Sequence, residues 1–314
     1  MALGASGSFG VVGMTAVTNW FLRKRTLALG ILATGTGFSG ALVPVLHWSI
    51  LHYGWRATLI FSGLGVWAVG LPMSILVRDV PEKYGMLPDG EIFPAGAPES
   101  NNPKTGEGLP PKEENTGYTA WTILRVRAFW LIALSVGISM AGFHAIAAVG
   151  FPYFLEIGMS ASIAGWTILL LTAVSILGRL GFGWLGDHMD KRKVMAIIFL
   201  LQFIGGIWFA LTREPWHLIP FLLTFGPAFG VLIPLRPAIQ GEFFGRHAFG
   251  SILGIMFVFI TVGAMISPVF TCWVFDTWGS YRHAFLILAA LNLICIPMIM
   301  RARKPETLAG TRSS

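Results

Sequence analysis

Nine apolar stretches constrain this chain more than anything else in it. They run at roughly 3–22, 26–50, 56–77, 128–151, 163–186, 194–212, 217–240, 249–273 and 282–300, each near the ~20 residues that cross a bilayer core. Lipid offers an open backbone no hydrogen-bond partner, so segments of this kind must be helices. The expected fold is an all-α polytopic membrane protein with nine transmembrane helices. Composition agrees: 12% of residues are charged and mean hydropathy is +0.70, against about 25% charged in soluble domains. The first run is not a signal peptide, because no basic residue precedes it and Arg23-Lys24-Arg25 follow it. The net charge of +7 does not imply nucleic acid, since the basic residues form short clusters between apolar runs. Cys272 and Cys295 lie inside apolar runs, without metal or disulfide spacing.

Charge sets the expected orientation. If Arg23-Lys24-Arg25 face the cytoplasm, so do 78–127, 187–193, 241–248 and the tail, and that side holds 17 of the 22 Lys and Arg. The opposite side keeps Arg56, Arg213 and Arg282, while Arg179 and Arg236 fall inside helices. The C-terminus is expected in the cytoplasm and the N-terminus outside, in a bacterial inner (plasma) membrane.

The segment 78–127 is the long polar one, rich in Pro, Gly and Glu. It divides the chain into a partial N-terminal bundle of three helices (1–77), a cytoplasmic linker (78–127), a six-helix bundle (128–301) and a tail (302–314). An internal repeat accounts for the uneven division. "NWFLRKRTLALGILATGTGFSGALVPVL" and "GWRATLIFSG" parallel "EFFGRHAFGSILGIMFVFITVGAMISPVF" and "SYRHAFLILAA". Gly30 matches Gly254, Pro44 matches Pro268, and Trp55-Arg56 matches Tyr281-Arg282. Parallel repeats are typical of transporters built from two six-helix halves. Helices 4–6 have no earlier counterpart, so three helices are expected to precede Met1 in a twelve-helix design.

With these features the chain resembles a major facilitator superfamily permease. The family's loop motif, Gly-x-Leu-x-Asp-Arg-x-Gly-Arg-Arg, is matched by Gly183, Leu185, Asp187, Lys191 and Arg192. It departs at His188 and at Asp190, where the family prefers Arg and Gly. "WFLRKRTLALGILATGTGFSG" and "PLRPAIQGEFFGRHAFGSILG" resemble the monocarboxylate porter and oxalate:formate antiporter-like group. "PEKYGMLPDG" and "FHAIAAVGFPYFLEIGMS" resemble its bacterial members. The resemblance implies that Gly183, Asp187, Lys191 and Arg192 belong to a gating loop. Asp187 is expected to face a neighbouring helix N-terminus and to latch one conformation. The alternative for Lys191, Arg192 and Lys193 is that they only enforce topology.

Arg179 lies about five residues past the middle of its helix, ~7 Å toward the cytoplasm, at a cost of about 2.5–3.5 kcal/mol on the insertion scale. No Asp or Glu lies in the interior of any of the nine runs. An anionic substrate would supply the missing charge, and the guanidinium fork suits a carboxylate. The resemblance gives the same role, because Arg179 matches the substrate-binding arginine of this helix. Animal monocarboxylate porters carry an aspartate four residues earlier, where this chain has Ser175. The antiporter's lysine has no counterpart, because 249–273 holds no Lys or Arg. The alternatives for Arg179 are snorkelling or an acid on the absent helices. Arg236, among Pro227, Pro234 and Pro237, is a candidate gate or binding residue on a bent helix.

His144 is a candidate for proton coupling or for a hydrogen bond between helices, and His47 is a weaker one. Tyr153 either caps the cavity or is an interfacial aromatic. Gly30, Gly35, Gly37 and Gly40 allow close helix packing. The expected function is secondary transport of a small organic, monocarboxylate-like anion by alternating access, coupled to protons or a counter-anion, by a monomer without a cofactor. The alternatives are a non-transporting remnant, a membrane-embedded sensor or a carrier for another solute. An enzyme is not expected, since no nucleophile–base pair, metal cluster or nucleotide loop is present.

Overall fold

A computed structural model describes residues 11–76, 78, 80–84, 86, 88–90, 121–245 and 249–305. Eight helices carry them: α1 (Val11–Trp20), α2 (Arg25–Leu76), α3 (Arg127–Glu156), α4 (Ala161–His188), α5 (Lys191–Ala210), α6 (Leu218–Phe244), α7 (Phe249–Trp278) and α8 (Arg282–Arg301). Seven segments of the described residues are long and apolar enough to cross a membrane. The expected run 3–22 falls partly outside the described residues, while 26–50 lies within them. The side chain of His47, the surroundings of Gly37 and Gly40, and most of the linker lie outside.

The 52 residues of α2 are two crossings rather than one. Gly54 takes φ 77°, where a side chain is disfavoured, and breaks the helix. The hydroxyls of Ser49 and Thr58 then meet at 3.0 Å. Residues nine apart in an unbroken helix would be ~13 Å apart, so the chain turns back on itself at Gly54. The limbs 25–53 and 55–76 correspond to the separate apolar runs of the sequence. Elsewhere the boundaries follow caps more than hydropathy. α5 begins on three charged residues because Asp190 caps it, accepting from the Arg192 amide at 2.9 Å.

α4 packs along α6, α5 along α8 and α6, and α3 along α7 and α8. The first limb of α2 lies against α4 and reaches α6. Apolar side chains form two clusters. One, around Phe129, Phe199, Leu235 and Phe244, lies at the end where Arg23–Arg25 and Lys191–Lys193 gather. The other, around Tyr153, Phe209 and Phe285, lies at the opposite end. Large apolar side chains of the second α2 limb, Trp67 and Ile75 among them, are exposed, as fits contact with lipid.

Glycine sets the closest contacts. A Cβ on Gly230 would stand 2.0 Å from the Ser175 carbonyl oxygen, and one on Gly178 would stand 2.4 Å from Pro227 Cα. At these points α4 and α6 touch backbone to backbone. A Cβ on Gly30 would meet the Arg179 carbonyl oxygen at 2.8 Å, so α2 is nearly as close on another side of α4. Gly254 has open space around it among the described residues. Gly230→Ala is therefore expected to destabilise the protein by about 1–3 kcal/mol through overpacking, while Gly254→Ala leaves it unchanged or slightly more stable. Thermal unfolding in detergent measures both. A Gly230→Ala protein melting with the wild type would mean that α4 and α6 are not in backbone contact.

Candidate functional site

At the basic end of the bundle, one turn of chain is held from two sides. The first amides of a helix lack intrahelical partners and carry the positive end of its dipole. The Asp187 carboxylate accepts from the Thr26 amide at 2.8 Å and the Leu27 amide at 2.9 Å, both in the first turn of α2. Gly183, one turn earlier on α4, faces the same turn: a Cβ there would lie in ordinary contact, 3.5 Å from Leu27 Cα. Arg25 is buried, its Nε donates to the Phe21 carbonyl, and its guanidinium lies over Gly241 of α6, where a Cβ would meet it at 2.6 Å. From the linker, Asp89 accepts from the Arg23 amide at 2.9 Å and the Leu22 amide at 3.2 Å. Trp20 Nε1 donates to the Arg78 carbonyl beside it. The turn 21–27 thus lies between Asp89 of the linker and Asp187 of α4.

Other motif residues tie neighbouring helix ends. Lys191 pairs with Glu242 of α6 at 2.6 Å. Arg192 pairs with Asp190 at 2.6 Å and donates to the Ala302 carbonyl beyond α8 at 3.1 Å. Asp190, where the family motif prefers Gly, has φ −56° and ψ 118° and needs no glycine, since it serves as an N-cap. The hydrogen bond from Arg192 holds its carboxyl below the usual carboxylate range.

Deeper in the bundle, Arg179 is 3% exposed. It stands two turns before Asp187 on the same face of α4, ~12 Å along the axis. It donates to the Ala33 carbonyl of α2 and, at 3.4 Å, to the Ser175 hydroxyl. Both of these acceptors are neutral. Arg236 is 6% exposed and lies over the Phe257 ring at 4.3 Å, and its Nε has no hydrogen-bond partner among the described residues. Its neighbour Leu235 packs against Gly186 of α4. His144 is half-buried on α3, edge-on to Phe143, which stacks on Phe229 of α6.

Tyr153 lies elsewhere. It is buried in the opposite cluster between Phe209 and Phe285, and its hydroxyl donates to the Ala210 carbonyl at 2.9 Å. Its hydroxyl is bonded to the end of α5, at the opposite end of the bundle from the motif residues. The structure therefore gathers Gly183, Asp187, Lys191 and Arg192 at one end, with Arg179 buried on α4 and Arg236 buried on α6. Sequence reading missed Asp89, Arg25 and Ala33. Asp89 and Arg25 act through backbone groups or a bare glycine face, and Ala33 offers only its own carbonyl; none of these leaves a pattern in side chains.

Comparison with known proteins places this geometry. The family model described as Major Facilitator Superfamily matches residues 1–155 and 136–313. Monocarboxylate transporter 12 of Mus musculus is 28% identical over 284 residues, which are 86% of this chain and 58% of that protein. The chain thus spans somewhat over half the length of that relative. The membrane sensor protein UhpC of Escherichia coli is 26% identical, over 92% of this chain and 67% of that protein. The solved structure of a variant of the E. coli fucose:proton symporter FucP aligns with a TM-score of 0.62 at 17% identity, over 95% of this chain and 74% of that one, which shows a shared fold.

Asp190→Ala is expected to cost about 1 kcal/mol through loss of the cap on α5, and Asp190→Asn to retain most of it. The lowered carboxyl means that the charged form contributes stability above the ordinary carboxylate range and loses it as pH falls through the folded value. The gap between the melting curves of wild type and Asp190→Ala should narrow as pH falls and persist in part, because the neutral carboxyl still accepts from the Arg192 amide. A gap of unchanged size at low pH would remove the ionic part of this account.

Proposed function

The chain belongs to the Major Facilitator Superfamily, and on that premise we propose that it serves secondary active transport of a small organic monocarboxylate by alternating access. One observation carries the reading: Arg179 is buried where the first limb of α2 meets α4, two turns from Asp187 on the same helix face. The guanidinium fork suits a carboxylate, which would replace the Ala33 and Ser175 contacts with a bidentate pair. The chain has no Asp or Glu from 25 to 76, and each acid on α3 to α8 lies within three residues of a helix end.

The two depths then divide the work. Arg179 holds the anion between the bundles. Asp187, on the same helix face, latches the basic end while its bonds to Thr26 and Leu27 stand. Opening that end breaks the Asp187 bonds and separates α2 from α4, so the Ala33 contact of Arg179 is lost in the same movement. A bound carboxylate compensates for that loss, which couples the anion to the conformational change. Arg236 adds positive potential nearer the exit, and His144 is the group through which a proton would travel with the anion. The bias of basic residues supports a cytoplasmic position for this end, with the carrier in the plasma membrane.

Similarity to a membrane sensor protein keeps a second reading in view, in which the anion is bound and reported but not carried. Proteoliposomes with labelled lactate, pyruvate, formate and oxalate separate the two. The expected result is saturable uptake, reduced at least tenfold in Arg179→Ala and only partly restored in Arg179→Lys, which lacks the fork. Uptake by Arg179→Ala with wild-type KM would remove the role given to Arg179. Binding of a labelled anion without uptake by the wild type would favour the sensor.

A further inference from the structure

Beyond the transport path, at the outer margin of the basic end, α3 begins and α8 finishes side by side. A cavity of about 580 Å³ opens between them. Arg127, the first residue of α3, and Arg301, the last of α8, stand on its walls together with Arg303 and Lys304. All four are exposed, and no acidic residue among those described lines the space. The nearby acids Asp190 and Glu242 are already paired with Arg192 and Lys191. Toward the membrane, Leu131 and Met300 give the same cavity an apolar wall.

The segment that carries Arg303 and Lys304 is also held in place. Ala302 is fully buried, its amide donates to the Ile299 carbonyl, and its own carbonyl accepts from Arg192. Two further cations are thus positioned beside Arg127 and Arg301. Four like charges around one concavity repel one another unless an anion fills it. The combination of a basic rim and an apolar wall at a helix end is where the headgroup and first acyl carbons of a phospholipid lie.

We propose that this cavity is a binding site for the phosphate of an anionic phospholipid, with the phosphodiester among Arg127, Arg301, Arg303 and Lys304 and the glycerol and acyl chain against Leu131 and Met300. Its chemistry suits any phosphate group. The apolar wall selects the lipid over free phosphate. The occupied site neutralises the end of α8 and fixes it against α3, on the part of the bundle that does not rock against α2.

The test uses the full chain, purified in detergent and stripped of lipid. Native mass spectrometry measures the affinity for phosphatidylglycerol and for phosphatidylcholine, and thermal unfolding is followed with each lipid and with inorganic phosphate. The wild type should bind phosphatidylglycerol in preference to phosphatidylcholine and melt higher with it. The triple variant Arg127→Gln, Arg303→Gln, Lys304→Gln should bind it on the order of a hundredfold more weakly, at about a factor of five per cation. A charge-matched variant, Arg23→Gln, Lys24→Gln, Lys193→Gln, should bind it as the wild type does, because those exposed residues lie outside the cavity. If the triple variant does not fold, Arg303→Gln alone, at a position outside any helix, should still give about a fivefold loss. Equal losses in the cavity variant and the charge-matched variant would overturn the proposal in favour of diffuse surface charge. Equal stabilisation by inorganic phosphate would overturn it in favour of a soluble anion.

Discussion

The architecture depends on the backbone contact that α4 makes with its neighbours. Against α6, Gly178 and Gly230 remove the side chains that would hold the helices apart, and carbonyl oxygens come to the distance a methyl group would need. Against α2, Gly30 does the same. In lipid there is little hydrophobic gain from bringing two apolar helices together, so close van der Waals contact must supply much of the attraction. α4 is thereby fixed between the two parts of the chain, and whatever it carries is presented to both.

What it carries is regularly spaced. Ser175, Arg179, Gly183 and Asp187 recur at intervals of four and so share one face of the helix. Arg179 and Asp187 both bond to α2, one through a side-chain cation on a carbonyl, the other through a carboxylate on two amides. The two contacts differ in kind. A carboxylate at a helix N-terminus is well compensated, by free amides and by the dipole. A guanidinium on a carbonyl gains a hydrogen bond inside the bundle, where the carbonyl is otherwise held by its own helix. The same interface therefore holds a carboxylate at its rim and a buried cation at its centre.

Charge placement along the chain follows one logic. Acids sit at helix ends, where amides, lysines or arginines meet them, as Asp187, Asp190, Glu242 and the linker's Asp89 show. Cations sit both at the ends and, at Arg179 and Arg236, inside. Interior cations are costly in a bilayer, and both are buried among helices rather than turned to lipid. The clustered cations at the margin of α3 and α8 pose the same question toward the lipid rather than toward the transport path.

The all-α membrane fold was legible because period and length are local properties: a run of ~20 apolar residues has one stable form in lipid, wherever its neighbours are. The break at Gly54 was legible as an interval between two runs, and the family motif located the loop around Asp187. Tyr153 shows the limit of such reading. An aromatic after a proline near a helix end gives no sign of which way its hydroxyl points, and the packing of α5 decided that it meets Ala210. Asp89 and Arg25 lay beyond reach for a related reason. Their partners are backbone amides and a bare glycine surface, which every sequence contains and none advertises. Sequence by itself determined that this chain crosses a membrane as helices, and that cations lie inside it without acids. Only the tertiary structure decided which helix faces meet, because lipid imposes the helix on each segment alone, whereas a contact needs two segments at once.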